Sequence, residues 1–207
     1  MRGYQSTENV VARSSSAGSS SVAGAAGVRE LLICIGVGAA AGLGVTFVSR
    51  MGLHVGLTGH KVLFWMPMLI IARLVARHPL GATAGSAATG AVCLGFGTKL
   101  AGPPLYMPLI VLAGSVLDAA AGLSERKHLP VWLIIPLFGA AGMIGATLCA
   151  VKRLLSPSVK WHVLLGLPDP AASMISWAFF GLLAGLVGAA VAAGVLRLAR
   201  RRKTANP

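Results

Sequence analysis

Long apolar stretches separated by short polar segments dominate the chain. Six of these stretches come close to the roughly 20 residues that a helix needs to cross the hydrocarbon core of a bilayer. Their apolar positions are continuous rather than alternating with polar ones, so transmembrane helices are predicted and an outer-membrane barrel is not. The predicted spans cover residues 30–49, 62–77, 80–98, 104–123, 129–151 and 172–198.

The composition supports an all-α polytopic membrane protein. Of the 207 residues, 56% are hydrophobic and 11% are charged, whereas soluble domains carry about 25% charged residues. A soluble domain of this size could not hide so much apolar surface, and the composition also excludes a disordered chain and a disulfide scaffold. The predicted organisation is a flexible Ser- and Gly-rich tail over 1–28, a six-helix transmembrane domain over 29–199 and a basic cytoplasmic tail over 200–207.

The basic residues predict the orientation in the membrane. The net charge is +13, but the cations cluster at the ends of apolar stretches, which favours the positive-inside rule over nucleic-acid binding. With the N-terminus inside, eleven Lys and Arg residues fall in cytoplasmic segments and six in outer loops. We therefore expect a multi-pass protein of the cell membrane (inner or plasma) with both termini in the cytoplasm.

Small residues recur at every fourth position in four of the predicted spans. This spacing keeps them near one helix face, where they let neighbouring backbones approach closely. Packing inside the bundle explains most of these faces, and one exposed face could instead contact a membrane partner. The four sets are Gly36, Ala40 and Gly44; Gly81, Gly85, Thr89, Cys93 and Gly97; Gly142, Ala146 and Ala150; and Gly181, Gly185, Ala189 and Ala193.

Aromatic residues concentrate in the predicted outer half of the spans. This one-sided distribution suggests a solute cavity lined by flat rings, and the alternative is an asymmetric belt at the lipid interface. The first outer loop, 50–61, is Gly-rich and resembles a mobile lid. Its two histidines lack a third ligand nearby, so no metal site is predicted. The candidate substrate-binding residues are His54, His60, Phe64, Trp65, Tyr106, Trp161 and Trp177.

Two ionisable residues fall inside predicted spans. Arg73 lies towards the inner end of the second span, and Asp118 lies towards the inner end of the fourth. A charge at the centre of a bilayer costs about 2.5–3.5 kcal/mol on insertion scales. Their similar depth suggests a structural ion pair, and a proton or ion relay is the alternative.

No pattern typical of an enzyme is found. The sequence has no Walker A motif, which predicts that the chain does not hydrolyse ATP. Ser86 lacks the GxSG context of an intramembrane serine protease, and no paired carboxylates offer acid–base chemistry. We therefore expect no catalytic residues and no cofactor.

One segment resembles a known family. The stretch from Gly59 to Arg73 (GHKVLFWMPMLIIAR), followed by HPLGA over 78–82, is similar to a G-H-x3-F-W-x-P pattern with a downstream Arg and a Pro-x-Gly turn. This pattern is associated with S-components, the substrate-binding membrane subunits of energy-coupling factor (ECF) vitamin transporters, including members connected with thiamine precursors. The similarity covers about 25 residues in motif and the whole chain in architecture.

The resemblance implies a specific role. S-components capture a micronutrient at the outer face and depend on a transmembrane T-component and two ATPases. In the family an Ala-x3-Ala face of the first helix contacts the T-component, and the corresponding residues here are Gly36, Ala40 and Gly44. Two other functions stay open: a stand-alone secondary transporter or channel, and a structural membrane protein without cargo.

Overall fold

Helices account for nearly all of the part of the chain that the computed structural model describes, which comprises residues 5–51, 59–97, 107–153, 163–164 and 167–205. A 3-10 turn (Val151–Arg153) follows the fifth helix, and two short antiparallel strands, β1 (Val163–Leu164) and β2 (Leu167–Pro168), precede the sixth. The helices are α1 (Gln5–Arg50), α2 (Val62–Ala76), α3 (Gly81–Gly95), α4 (Met107–Arg126), α5 (Val131–Ala150) and α6 (Asp169–Ala205).

Each predicted span overlaps one of these helices, and the all-helical class is confirmed. Among the described residues, four helical segments are long and apolar enough to cross a membrane. Helix α2 is apolar but only 15 residues long, and the Gly- and Ala-rich α3 has the same length. The four long segments are Gly27–Arg50, Met107–Arg126, Val131–Ala150 and Ala171–Ala199.

Both terminal segments continue the helix that adjoins them. Helix α1 begins at Gln5, so residues 5–28 are helical, and α6 runs on through the basic segment to Ala205. Neither segment contains a proline, and Ala, Arg and Lys are good helix formers. Extending an existing helix avoids the cost of starting a new one, which gives both segments a reason to continue the adjoining helix.

Two short connections reverse the chain at one end of the bundle. Helix α2 is followed directly by Arg77, whose φ of 59° is left-handed and whose N–H donates to the Arg73 carbonyl at 2.9 Å. Two residues beyond the end of α4, His128 is also left-handed, with φ of 47°. A proline follows two residues after each left-handed residue, at Pro79 and Pro130, and neither can continue a helix.

Helix α2 is the central element of the bundle, because it contacts each of the other five helices. The remaining helices surround it in the order α1, α3, α4, α5, α6. We call the end where α2, α4 and α6 begin the tryptophan end, after Trp65 and Trp177. The opposite end, where α2 and α4 finish, is the aspartate end, after Asp118.

Close backbone contacts join the helices where the sequence has small residues. A Cβ at Gly38 of α1 would overlap the backbone of Gly85 in α3, and Gly142 and Gly181 are as close between α5 and α6. The sets predicted on α3, α5 and α6 therefore lie mainly in the interior. The set on α1 does not, because Gly36, Ala40 and Gly44 all face outwards.

We predict that Gly38→Ala lowers the stability of the protein and that Gly36→Ala does not. The methyl group at position 38 would overlap Gly85, whereas a Cβ at position 36 has no atom within 4 Å. Overpacking of this kind typically costs about 1–3 kcal/mol. Thermal unfolding in detergent should show a lower midpoint for Gly38→Ala only. Equal midpoints would mean that the α1–α3 contact tolerates separation.

Candidate functional site

Arg73 is buried at the aspartate end between two carboxylates of α4. Its Nε donates to Asp118 Oδ1 at 3.0 Å, and both side chains are almost fully buried. Its Nη1 donates to Glu125 Oε1 at 2.9 Å and its Nη2 to Oε2 at 3.4 Å. Glu125 is half-exposed, so the guanidinium connects a buried acid to one at the surface of the bundle.

Asp118 also accepts hydrogen bonds from the first turn of α3. The N–H of Ala82 donates to Oδ1 at 3.0 Å, the N–H of Thr83 to Oδ2 at 2.8 Å, and Thr83 Oγ1 to Oδ2 at 2.6 Å. Helix α3 has no side-chain cap of its own, since Leu80 precedes it. The carboxylate of a neighbouring helix therefore satisfies amides at the positive end of the α3 dipole.

Together Arg73, Thr83, Asp118, Glu125 and the Ala82 amide form what we call the Asp118 network. Each carboxylate oxygen of Asp118 receives two donors. This saturation favours a structural role over a relay, because a relay carboxylate must gain and lose a proton while its lone pairs here are occupied. The network ties α2, α3 and α4 together.

The sequence pointed to two members of this network and missed the others. Arg73 and Asp118 were predicted to pair because they are ionisable residues at similar depths within the predicted spans. Glu125 lies seven residues after Asp118 on the same helix, and that spacing could have placed both acids on one face. Thr83 gave a weaker signal, since a hydroxyl in a first helical turn is common.

Two buried tryptophans lie at the opposite end. Trp65 of α2 is 1% exposed and Trp177 of α6 is 6% exposed, and both belong to the same buried core. Gly59, with φ of +92°, packs against Trp177 so closely that a Cβ there would lie 2.9 Å from its Cγ. The Lys152 ammonium lies 5.3 Å from the centre of the same ring, in cation–π contact. Gly59 and Lys152 both contact Trp177, and Trp65 is buried at the same end of the bundle; we call these four residues the tryptophan cluster.

The indole N–H groups of this cluster have a distinctive environment. Nε1 of Trp65 and Nε1 of Trp177 are buried, and neither has a hydrogen-bond acceptor among the described residues. A buried donor without an acceptor costs about 1–3 kcal/mol, and buried tryptophans usually find a partner. The cluster therefore presents two polar donors within an apolar surrounding.

The other predicted substrate-binding residues are dispersed. His60 is half-buried next to Gly59, whereas Phe64 is 46% exposed on the other side of α2 from Trp65. The rings of Phe47, Phe96 and Phe179 are also exposed at this end, as expected for an interfacial belt. Three predicted residues lie outside the described part of the chain: His54, Tyr106 and Trp161.

The sequence singled out neither Lys152 nor Gly59 as a member of this cluster. Lys152 follows the end of α5, and only the packing of α5 against α6 brings it over Trp177. No group of three or more His, Cys, Asp or Glu side chains suited to a metal ion lies among the described residues. No family model, curated protein or solved structure matches this chain.

We predict that position 118 must keep an acceptor even when its charge partner is removed. Arg73→Met alone should destabilise the protein by about 3–5 kcal/mol, because it leaves a buried carboxylate without its counter-charge. Adding Asp118→Asn should recover part of this loss, since the Asn oxygen can still accept from one of the two α3 amides that Asp118 binds. Adding Asp118→Leu should recover less.

The measurement is the free energy of unfolding of the single and double variants in mixed micelles. Glu125→Gln serves as a control, because its half-exposed carboxylate makes a weaker contribution to stability. Equal recovery by Asn and Leu at position 118 would contradict the capping role of Asp118.

Proposed function

We propose that this chain is the solute-capture subunit of an ECF-type importer for a vitamin or related micronutrient, with thiamine precursors among the candidates. It would bind the solute at the tryptophan end, facing outwards, and pass it on with the help of a T-component and ATPase subunits. The chain itself would catalyse no reaction. The observation that carries this proposal is the pair of buried indole donors in the tryptophan cluster.

The cluster has the features of a site for a small, flat solute. Ligand sites are mostly apolar, with a few polar groups that fix orientation. Two large rings supply the apolar surface here, and their N–H groups supply donors that no described acceptor satisfies. Gly59 brings the first connection of the chain against Trp177, which supports a role for that connection in covering the solute.

We further propose that all six helices span the cell membrane, with both termini in the cytoplasm. Helices α2 and α3, at 15 residues each, extend about 22 Å, less than the hydrocarbon thickness of about 30 Å. Longer helices flank both of them, and local thinning of the bilayer accommodates short spans at modest cost. The excess of Lys and Arg in the segments assigned to the cytoplasm supports this orientation.

The outward face of α1 supports a membrane partner. Gly36, Ala40 and Gly44 form a shallow surface on which no other part of the described chain packs. Small residues on a lipid-facing helix allow a second helix to approach closely. This is the face that the family resemblance assigns to the T-component.

The alternatives receive less support from the described residues. An ion-coupled secondary transporter would need an exchangeable charge in the membrane, and Asp118 is saturated by four donors. A purely structural membrane protein would leave the buried indole donors without a role. The experiments below separate these functions.

We predict that native mass spectrometry of gently purified protein, from cells supplied with a vitamin mixture, shows one small molecule bound per chain. Trp177→Ala should reduce the affinity for that molecule at least about thirtyfold, as expected when a buried aromatic anchor worth about 2 kcal/mol is removed. Trp132→Ala is the matched control, because Trp132 is 70% exposed at the aspartate end. A protein that stays empty in every mixture would contradict solute capture.

We predict that Ala40→Leu abolishes association with partner subunits while leaving the fold intact. Ala40 is exposed on α1, so the larger side chain meets no internal clash but prevents close helix approach. The measurement is the amount of ATPase that copurifies with the chain from its native cells in mild detergent. Ala140→Leu, an equally exposed position on α5, should retain the partner. Equal retention by both variants would remove α1 from the interface.

A further inference from the structure

The tryptophan end carries an unusual excess of positive charge. In the sequence, six cations and one acid, Asp169, lie in or beside the segments that join the helices at this end. The cations are Arg50, Lys61, Lys99, Lys152, Arg153 and Lys160, of which Lys99 and Lys160 lie outside the described residues. The other four acidic residues lie towards the aspartate end or in the N-terminal segment. By sequence, these segments therefore carry five more positive than negative charges.

The segments assigned to the cytoplasm hold more Lys and Arg residues than those at this end, eleven against six, yet six is a large number for an outer face. Outer segments normally contain few Lys and Arg residues, so these cations call for a separate explanation. Two of them contact neutral groups at the edge of the bundle. The Arg50 guanidinium lies 5.6 Å from the centre of the Phe96 ring, and Lys61 Nζ donates to Ser49 Oγ at 2.8 Å.

Lys152 differs from these rim cations because it lies over a buried ring that carries a donor. Its Nζ is 5.3 Å from the centre of the Trp177 ring, and the N–H of that ring has no acceptor among the described residues. The indole is therefore flanked by a positive charge at its face and offers a hydrogen bond at its edge. Charge-assisted hydrogen bonds to anions are about twice as strong as neutral ones.

We propose that the tryptophan cluster binds a carboxylate or phosphate group attached to a flat apolar body. The Lys152 ammonium supplies the charge, the Trp177 N–H donates to an oxygen of the anion, and the indole rings contact the apolar body. This inference rests on the proposed solute capture and adds the chemical class of the solute. An anionic lipid headgroup offers the same oxygen chemistry, so the test must separate the two sources.

The test uses the whole chain in dodecyl maltoside, a neutral detergent. Benzoate and phenyl phosphate are the anionic probes, and benzamide is the uncharged control of similar size. Binding is followed by the thermal unfolding midpoint and by tryptophan fluorescence. At least one anionic probe should stabilise the protein more than benzamide does. Lys152→Gln should weaken that binding about tenfold, because it removes a charged donor while keeping most of the side chain.

Matched variants distinguish a local site from a general effect of charge. Trp177→Phe should weaken binding of the anionic probe while keeping an aromatic ring. Lys127→Gln and Trp132→Phe, both exposed at the aspartate end, should change nothing. A Lys127→Gln effect as large as that of Lys152→Gln would overturn the proposal.

The remaining outcomes show whether the anion belongs to a solute or to a lipid, or contradict the anion site. Stabilisation by soluble probes assigns it to a solute, whereas Lys152-dependent stabilisation only in phosphatidylglycerol nanodiscs, and not in phosphatidylcholine ones, assigns it to a lipid headgroup. If neither anionic probe nor phosphatidylglycerol stabilises the protein, the proposed anion site is wrong. If benzamide stabilises the protein as much as the anionic probes do, the anion site is also wrong, but the proposal of solute capture stands. Solute capture itself is contradicted if native mass spectrometry finds no bound molecule.

Discussion

The Asp118 carboxylate is the group on which the aspartate end of the bundle depends. It compensates the buried charge of Arg73 from α2 and accepts hydrogen bonds from the Ala82 and Thr83 amides in the first turn of α3. Burying either the guanidinium or the helix terminus alone would be costly. One side chain of α4 satisfies both, so three helices that follow each other in sequence share one electrostatic anchor.

Close packing of small residues complements this anchor along the length of the bundle. Apolar surface gives helices little reason to associate in lipid, so van der Waals contact between backbones has to provide much of the attraction. The α1–α3 and α5–α6 contacts are built in this way, at Gly38 against Gly85 and at Gly142 against Gly181. On α1, the face of small residues around Gly38 makes this contact, whereas a second face of small residues, around Ala40, points outwards.

The two ends of the bundle therefore have contrasting chemistry. At the aspartate end both carboxylate oxygens of Asp118 are fully hydrogen-bonded, as is typical of a rigid structural element. At the tryptophan end two buried donors lack acceptors among the described residues, and cations outnumber acids. A buried polar group left unmatched in an otherwise well-packed core calls for an explanation, and a bound ligand supplies one.

The sequence by itself determined the class of the protein and the positions of its helices. Long continuous apolar stretches are typical of membrane helices, because in lipid the backbone N–H and C=O groups must form hydrogen bonds within the protein. The sequence also singled out Arg73 and Asp118, since charges within apolar stretches are rare. It could not determine that residues 5–28 continue α1, because Ser-rich composition is compatible with both coil and helix.

Only the tertiary structure decided which side chains meet. Small residues recur at every fourth position on α1, α3, α5 and α6, yet the set on α1 faces outwards and the other sets mainly pack inside the bundle. Phe64 and Trp65 are neighbours in sequence but face exposed and buried surroundings. Lys152 reaches Trp177 only because α5 packs antiparallel to α6. Local patterns record periodicity, whereas the direction in which a face turns depends on helices far away in the chain.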